Sequence, residues 1–218
     1  MDIEQIQFLS PQACSQWAEQ VLSLRRAWTA RHDRLPFYTL GMAAYLDAVP
    51  QQHGLGGAMS YQSAILRKHA NGLIMKHFSG LLESCRQALG QHFQCEARYI
   101  PDQAALPGFH IHLPHPAFAA SVASVHQDLQ YLKLFPQWAL DPHQLLTFTV
   151  PLSLPEGSGL KVWDTRGEHF HLYTMGHIVV HNGLERHQAV LHPQECETPR
   201  IMLQGHGVFH QQELLLYW

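Results

Sequence analysis

A histidine and an aspartate stand two positions apart near the middle of the chain, at His126 and Asp128. Apolar neighbours such as Val125 and Leu129 predict that residues 123–131 form a largely buried β-strand. Because side chains of a strand alternate between its two faces, His126 and Asp128 would point the same way. A buried carboxylate is costly unless a cation or hydrogen-bond donors accompany it. The pair therefore predicts two ligands of a metal ion.

A third ligand is expected from the histidines of residues 176–187, which predict a strand, a tight turn and the start of another strand. His177 and His181 lie within the first strand, whereas His187 lies just after the turn. Two histidines and one carboxylate bind a divalent transition metal such as Fe(II) on one face and leave other positions open.

A buried cation is predicted further along, where Arg200 begins another apolar strand. Ile201 and Leu203 alternate with Arg200, Met202 and Gln204, so the last three share one face of the strand. The guanidinium fork matches a carboxylate with two parallel hydrogen bonds. Arg200 is thus well placed to reach into a β-barrel and bind an anion there.

The ordered set His126-x-Asp128, His187 and Arg200 resembles the Fe(II)/2-oxoglutarate-dependent dioxygenases. The resemblance covers roughly residue 97 to the C-terminus. It implies that His126, Asp128 and His187 bind Fe(II), with His187 favoured over His181 because the family places this ligand after the turn. It also implies that Arg200 binds the distal carboxylate of 2-oxoglutarate. Many members have Ser or Thr two residues after the arginine, where this chain has Met202.

The same resemblance implies an activity. 2-Oxoglutarate and O2 would be consumed, succinate and CO2 released, and a small-molecule substrate hydroxylated. In halogenating relatives a small residue replaces the carboxylate ligand, whereas this chain has Asp128. Hydroxylation, or another outcome of hydrogen abstraction such as desaturation, is therefore expected rather than halogenation.

Two threonines are further candidates for contacts to the cosubstrate. Residues 145–152 alternate so that Thr147 and Thr149 share a polar face. If that face lines the site, the two hydroxyls and Gln204 are predicted to contact 2-oxoglutarate or water. The alternative is a solvated face of a sheet.

A second histidine pair, His110 and His112, also falls on one face of a predicted strand. It is similar to the His-x-His of cupins, a related β-barrel class, but the acidic ligand that cupins place a few residues later is missing here. A cupin-like metal- or ligand-binding protein without 2-oxoglutarate turnover is the alternative function. The two histidines could instead line a substrate entrance or lie on the surface.

The secondary-structure elements that must position these residues fall into two parts of the chain, a helical first part and a second part with the pattern of β-strands. Ser10-Pro11 predicts the start of a helix that ends near Arg31. A helix over residues 62–70, a break at Asn71-Gly72, and a second helix ending at Gly90 follow. From Cys95 onward, short apolar runs punctuated by Pro, Gly and Asp predict strands. These cover residues 97–100, 109–113, 121–130, 145–152, 160–163, 177–181, 187–191, 200–205 and 214–218.

The predicted fold is mostly β with N-terminal helices: a double-stranded β-helix, or jelly-roll, core buttressed by α-helices. We expect a single domain over residues 1–218, with residues 1–92 as a helical support segment and 93–218 as the core. Residues 51–60 are rich in Gly and Gln and predict a loop, which could close over the mouth of the site.

Composition narrows the class of protein. The chain has 218 residues, 46% of them hydrophobic, which is enough for one buried core. Its formal net charge is −3 and it has no run of basic residues, so no nucleic-acid partner is expected. The four cysteines show no metal or redox spacing, and neither a secretory signal nor a membrane-spanning run is visible. These features predict a cytoplasmic protein without a membrane partner.

Overall fold

The computed structural model of the protein describes residues 3–47, 60–138, 140–191 and 197–218. The predicted loop over residues 51–60 therefore lies outside the described residues, apart from Ser60, which begins the short 3-10 helix Ser60–Gln62.

Helix α1 (Pro11–Ser23) begins as predicted. The Ser10 hydroxyl accepts a hydrogen bond from the backbone N–H of Ala13 at 3.2 Å, and Pro11 occupies the first turn. The helix ends earlier than the predicted Arg31, because the chain turns into a 3-10 segment at Arg25–Ala27. Short helices follow at α2 (Ala44–Asp47) and, after the long helix described next, at α4 (Tyr131–Leu134).

Helix α3 (Ala64–Phe93) is one continuous helix, so the predicted break at Asn71-Gly72 is wrong. The Asn71 amide is buried and bonds to the carbonyls of Pro101 and Ala104, which satisfies it without interrupting the helix. The predicted C-cap at Gly90 is also wrong. The helix continues to Gln94, whose φ of 52° is left-handed and ends it.

Twelve strands are formed by the described residues. In chain order they are β1 (Glu4–Gln7), β2 (Thr29–Ala30), β3 (Phe37–Leu40), β4 (Glu96–Tyr99), β5 (Gly108–His112), β6 (Leu145–Ser153), β7 (Gly159–Asp164), β8 (Gly167–Leu172), β9 (His177–His181), β10 (Arg186–Val190), β11 (Arg200–His210) and β12 (Glu213–Tyr217). Strand β8 was not predicted, and β1 and β2 lie within the segment expected to be helical support. Strand β3 lies there too, but the apolar run over residues 36–41 predicts it as a short strand.

The strands form two sheets. The major sheet has the order β1-β9-β6-β11-β5-β3-β2, with β12 also paired to β11 and β4 paired to β12. The minor sheet has the order β10-β7-β8, and all its pairings are antiparallel. Strand β11 is central, because it pairs with β6 along most of its length and with β5 over its first half.

Alternation along the strands gives the major sheet two different faces. Ile201 and Leu203 of β11 join Phe148 of β6 in the main hydrophobic core, together with residues of α1 and α3. The helices therefore cover this face. The opposite face carries Arg200 and the other even-numbered residues of β11.

The minor sheet packs against that second face. Leu160 and Val162 of β7 share a smaller buried cluster with Val179 of β9 and Met202 of β11. The predicted fold class, a mostly β jelly-roll core supported by helices, is confirmed. No described helix combines the length and apolar character needed to span a membrane.

Candidate metal centre

The segment that carries His126 and Asp128 is a loop, so the predicted strand over residues 121–130 is wrong. A single antiparallel bridge joins His126 to His187 of β10, with backbone N···O distances of 3.0 and 2.9 Å. The apolar side chains that suggested a buried strand, Val125 and Leu129, are 40% and 47% exposed. The bridge nevertheless brings the two segments together.

Three side chains meet where the loop touches β10. The Nε2 atom of His126 lies 3.8 Å from Oδ1 of Asp128, and Nε2 of His187 lies 3.6 Å from Oδ2. The candidate donor atoms all lie within 4.8 Å of one another, and no other such group occurs among the described residues. The three side chains are therefore placed to bind a metal ion.

Hydrogen bonds fix which nitrogen of each imidazole faces the others. Nδ1 of His126 lies 3.0 Å from the carbonyl of Ser124, and Nδ1 of His187 lies 2.8 Å from the carbonyl of Glu185. A carbonyl only accepts, so in each ring the proton is on Nδ1 and the lone pair on Nε2. Backbone anchoring of the second nitrogen is the usual way in which a metal-binding histidine is oriented.

The Asp128 carboxylate is held from behind by β6 and β11. Thr147 Oγ1 lies 2.6 Å from Oδ2 of Asp128 and 3.0 Å from Nδ1 of His206. Burial raises the pKa of Asp128, but the neighbouring imidazoles, His206 first, and the Thr147 hydroxyl outweigh it and lower the pKa to about 2. Since an ionised carboxylate only accepts, Thr147 donates to Asp128 and accepts from His206. This relay restricts the orientation of the carboxylate.

His181, the alternative third ligand, lies close by on β9. Its ring centroid is 4.8 Å from that of His187, and it is 2% exposed. Its Nδ1 has no hydrogen-bond partner among the described residues. Burial lowers the pKa of His181 to about 3, so the ring is neutral at physiological pH.

The metal-binding group opens into a cavity of about 340 Å³ between the two sheets. Six of the residues predicted for the site line it: His126, Asp128, Thr149, His187, Arg200 and Gln204. Thr147 is not among the residues that line it; its hydroxyl bonds to Asp128 instead, and its predicted contact to the cosubstrate stays a prediction. Thr147 and Thr149 are 2% and 5% exposed, so their face is not a solvated one.

Arg200 is a buried cation with no anionic partner among the described residues. It is 3% exposed, and its Nε has no hydrogen-bond partner there. Burial lowers the pKa of the guanidinium, and the groups that oppose this are the Tyr173 and Tyr45 hydroxyls rather than a carboxylate. The guanidinium carbon lies 5.8 Å from the ring centroid of Tyr173. An unpaired buried charge is costly, so the arrangement is suited to an anion supplied from outside the chain.

Tyr173 is a site residue that the sequence did not reveal. It is 6% exposed, lines the cavity, and forms a side-chain hydrogen bond with Thr149. Met202, at the position where Ser or Thr was looked for, is fully buried among apolar side chains. Tyr173 is thus the residue with a hydroxyl that contacts Arg200, whereas Thr149 lies opposite Gln204 in the register of β6 and β11.

The His110 and His112 pair also lines the cavity but does not form a metal site. Nε2 of His110 is hydrogen-bonded to the Tyr45 hydroxyl. The ring of His112 stacks on Phe37, with centroids 4.4 Å apart and 4° between the planes. The cupin-like arrangement lacks a carboxylate partner among the described residues.

Gly183 lies directly behind the Asp128 carboxylate, and its amide carbonyl accepts from the N–H of Asp128 at 2.7 Å. A Cβ atom there would meet Thr147 Oγ1 and would lie 2.6 Å from Oδ2 of Asp128. We expect Gly183→Ala to displace the carboxylate and weaken Fe(II) binding by roughly 10–100-fold, as loss of a group that orients a ligand does. Anaerobic calorimetric titration measures the affinity.

The matched control for this change is Gly72→Ala in α3, where an added Cβ meets nothing within 4 Å. It should leave Fe(II) affinity unchanged and stabilise the helix by about 0.5–1 kcal/mol. A folded Gly183→Ala protein with unaltered Fe(II) affinity would show that this packing does not position Asp128.

Comparison with known proteins supports the fold. No protein-family model matches the chain, and no curated protein matches it. Among solved structures it is similar to an N-substituted L-amino acid dioxygenase from Burkholderia ambifaria AMMD. The TM-score is 0.57 at 7% identity, covering 100% of this chain and 86% of that one. The same enzyme in complex with alpha-ketoglutarate gives a TM-score of 0.52 at 7% identity, with the same coverage of both chains. The resemblance to Fe(II)/2-oxoglutarate-dependent dioxygenases is thus confirmed at the level of the fold.

Proposed function

We propose that the protein is an Fe(II)- and 2-oxoglutarate-dependent dioxygenase that hydroxylates a small-molecule substrate and releases succinate and CO2. The observation that carries this proposal is the buried Arg200, which has no carboxylate partner among the described residues and lies in the same cavity as His126, Asp128 and His187. A metal-binding group alone fits many functions. A metal-binding group that shares a cavity with an uncompensated guanidinium fits a ligand that chelates a metal at one end and carries a carboxylate at the other.

Each residue has a role in this proposal. His126, Asp128 and His187 hold Fe(II), and Thr147 keeps the carboxylate oriented. Arg200 binds the 5-carboxylate of 2-oxoglutarate, with Tyr173 and Thr149 supplying the hydroxyls that position 202 lacks. Bound Fe(II), with 2-oxoglutarate and O2, supplies the oxidant that removes a hydrogen atom from the substrate. The chain's own part is to orient the substrate C–H bond and to limit the access of water, which the position of the cavity between the two sheets favours.

We also propose that residues 1–218 form one catalytic domain. The helices of the first 92 residues cover the outer face of the major sheet, and β1 to β3 extend that sheet at its two edges. The N-terminal part of the chain also contributes to the cavity itself, because Phe37 and Tyr45 line it.

Anaerobic titration tests this function without knowledge of the substrate. Addition of 2-oxoglutarate to the Fe(II) protein should produce a visible charge-transfer band, and admission of O2 should yield succinate. The matched control is the Zn(II) protein, which binds the same ligands but is redox-inert and should give neither signal. Fe(II) binding without the band or succinate would reject the proposal and leave a metal-binding β-barrel protein, the cupin-like alternative.

A further inference from the structure

Few charged groups line the cavity, and two of the three have a role already. Of the described Asp, Glu, Lys and Arg residues, only Arg31, Asp128 and Arg200 contribute to its wall. Asp128 belongs to the metal-binding group, and Arg200 is assigned to 2-oxoglutarate. The charge that a substrate meets therefore depends on Arg31.

Arg31 is neutralised by a carboxylate that lies behind the wall. Its two terminal nitrogens donate to the two oxygens of Asp47 at 2.6 and 2.8 Å, and its Nε donates to Thr39 at 2.7 Å. Asp47 also accepts from the backbone N–H of Ala43 at 2.9 Å. Arg31 and Asp47 are 5% and 4% exposed. Both oxygens of Asp47 are bound by the fork and the pair has no net charge, so it offers a substrate no uncompensated charge.

No other described Asp, Glu, Lys or Arg side chain lies in this part of the wall, and the imidazole of His32 faces Asp33, with its Nδ1 3.2 Å from the carboxylate. Burial lowers the pKa of His110 to about 3, so the ring that bonds to Tyr45 is neutral at physiological pH. The other side chains here include Leu35, Phe37 and Leu46. A charged substrate group placed against them would lose its hydration without gaining a partner.

We propose, on the basis of the function proposed above, that the substrate is an uncharged, largely apolar small molecule, and that Asp47 sets this specificity by neutralising Arg31. Size supports a small substrate: pockets for small ligands are roughly 300–1,000 Å³. The cavity, at about 340 Å³, must hold 2-oxoglutarate as well. Arg31 and Asp47 are specificity-determining residues in this view and take no part in the chemistry.

Three probes of similar size and different charge test the proposal: benzamide, benzoate and benzylamine. Each is titrated into the anaerobic Fe(II) protein saturated with 2-oxoglutarate, so that Arg200 is occupied, and the change in the charge-transfer band is followed. We expect benzamide to bind at least about tenfold more tightly than either charged probe. The free energy lost by burying an unpaired charge is larger than the free-energy difference that corresponds to a tenfold ratio of affinities. A charged probe that binds as tightly as benzamide, or no binding by any probe, overturns the proposal. Absence of the band before any probe is added instead rejects the proposed function.

Variants of the pair give a second test, in which the relative affinity should shift from benzamide toward the probe whose charge is opposite to that of the unpaired residue. Asp47→Asn leaves Arg31 cationic and unpaired, and it should raise the affinity for benzoate relative to benzamide at least about tenfold. Arg31→Met leaves Asp47 anionic and should favour benzylamine in the same way. The double variant Arg31→Met/Asp47→Leu restores an uncharged wall and should prefer benzamide again. If one single variant does not fold, the other decides, and an unchanged order of the probes in a folded single variant overturns the role of Asp47.

Discussion

Replacing His187 by Ala is expected to abolish tight Fe(II) binding, with a loss greater than the roughly 10–100-fold that follows removal of a group that only orients a ligand. Nε2 of His187 lies 3.6 Å from Asp128 Oδ2 and carries the lone pair, because Nδ1 is bonded to the Glu185 carbonyl. Without this imidazole, the metal keeps His126 and Asp128 of the loop as ligands but loses the ligand that β10 supplies. Anaerobic calorimetry with Fe(II) measures the loss, and 2-oxoglutarate-dependent succinate formation should disappear with it.

His181→Ala is the matched control for this change. The two histidines are neighbours with ring centroids 4.8 Å apart, both are buried, and both line the same cavity. A general loss of packing would therefore affect the two variants alike. We expect His181→Ala to retain most of the Fe(II) affinity. The reverse order, with His181→Ala losing the metal and His187→Ala keeping it, would reassign the third ligand.

The metal-binding group could be predicted from the sequence because it depends on residue types and their order. The strand expected around His126 and Asp128 could not. Val125 and Leu129 gave the same local signal that a buried strand gives, but in the folded chain they are 40% and 47% exposed. Apolar residues near a ligand-binding mouth are indistinguishable in a single sequence from those of a buried strand. His126 and Asp128 still face one site, because the bridge to His187 orients the loop as a strand would.

The break expected in α3 shows a second limit of local signals. An isolated Gly inside a helix costs only about 1 kcal/mol relative to Ala. The buried residues that follow it, such as Ile74 and Phe78, contribute more than that by packing in the main core. Asn71 helps as well, because its side chain accepts from the Leu106 backbone N–H at 2.9 Å. Tertiary contacts thus outweigh the helix-breaking tendency of Asn71-Gly72.

His206 was missed for a related reason, and although Thr147 was a candidate, its contact with Asp128 was not predicted. Thr147 and His206 stand directly opposite each other in the register of β6 and β11, which is how they meet behind Asp128. They are 59 residues apart in the chain. Register is set by the whole sheet, so no local pattern links them. Tyr173 is similar, because it reaches Arg200 only once the minor sheet has packed on the major one.

Replacing Arg200 by Ala is expected to weaken 2-oxoglutarate binding by about 30-fold or more, since truncating one partner of a buried charge pair costs ~2–5 kcal/mol. Arg200→Lys should recover only part of this, because an ammonium is a point charge and not a planar fork. The readout is the titration of the visible band by 2-oxoglutarate. 2-Oxopentanoate is the matched ligand, because it keeps the 2-oxo acid and the chain length but lacks the 5-carboxylate. Its affinity should be low for the unaltered protein and little changed by Arg200→Ala; equal losses for both ligands would show that Arg200 does not bind the 5-carboxylate.

Arg200→Met should also stabilise the protein in the absence of 2-oxoglutarate, which separates a ligand-binding role from a structural one. The guanidinium is buried, and no described carboxylate pairs with it, so its desolvation opposes folding until an anion binds. Arg31→Met is the matched comparison, since it removes an equally buried guanidinium that does have a partner, Asp47 at 2.6 Å. Breaking that pair should destabilise by about 3–5 kcal/mol. Thermal unfolding of the two apo variants measures the difference, and a fall in Tm for Arg200→Met as large as that for Arg31→Met would mean that Arg200 serves the fold and not the ligand.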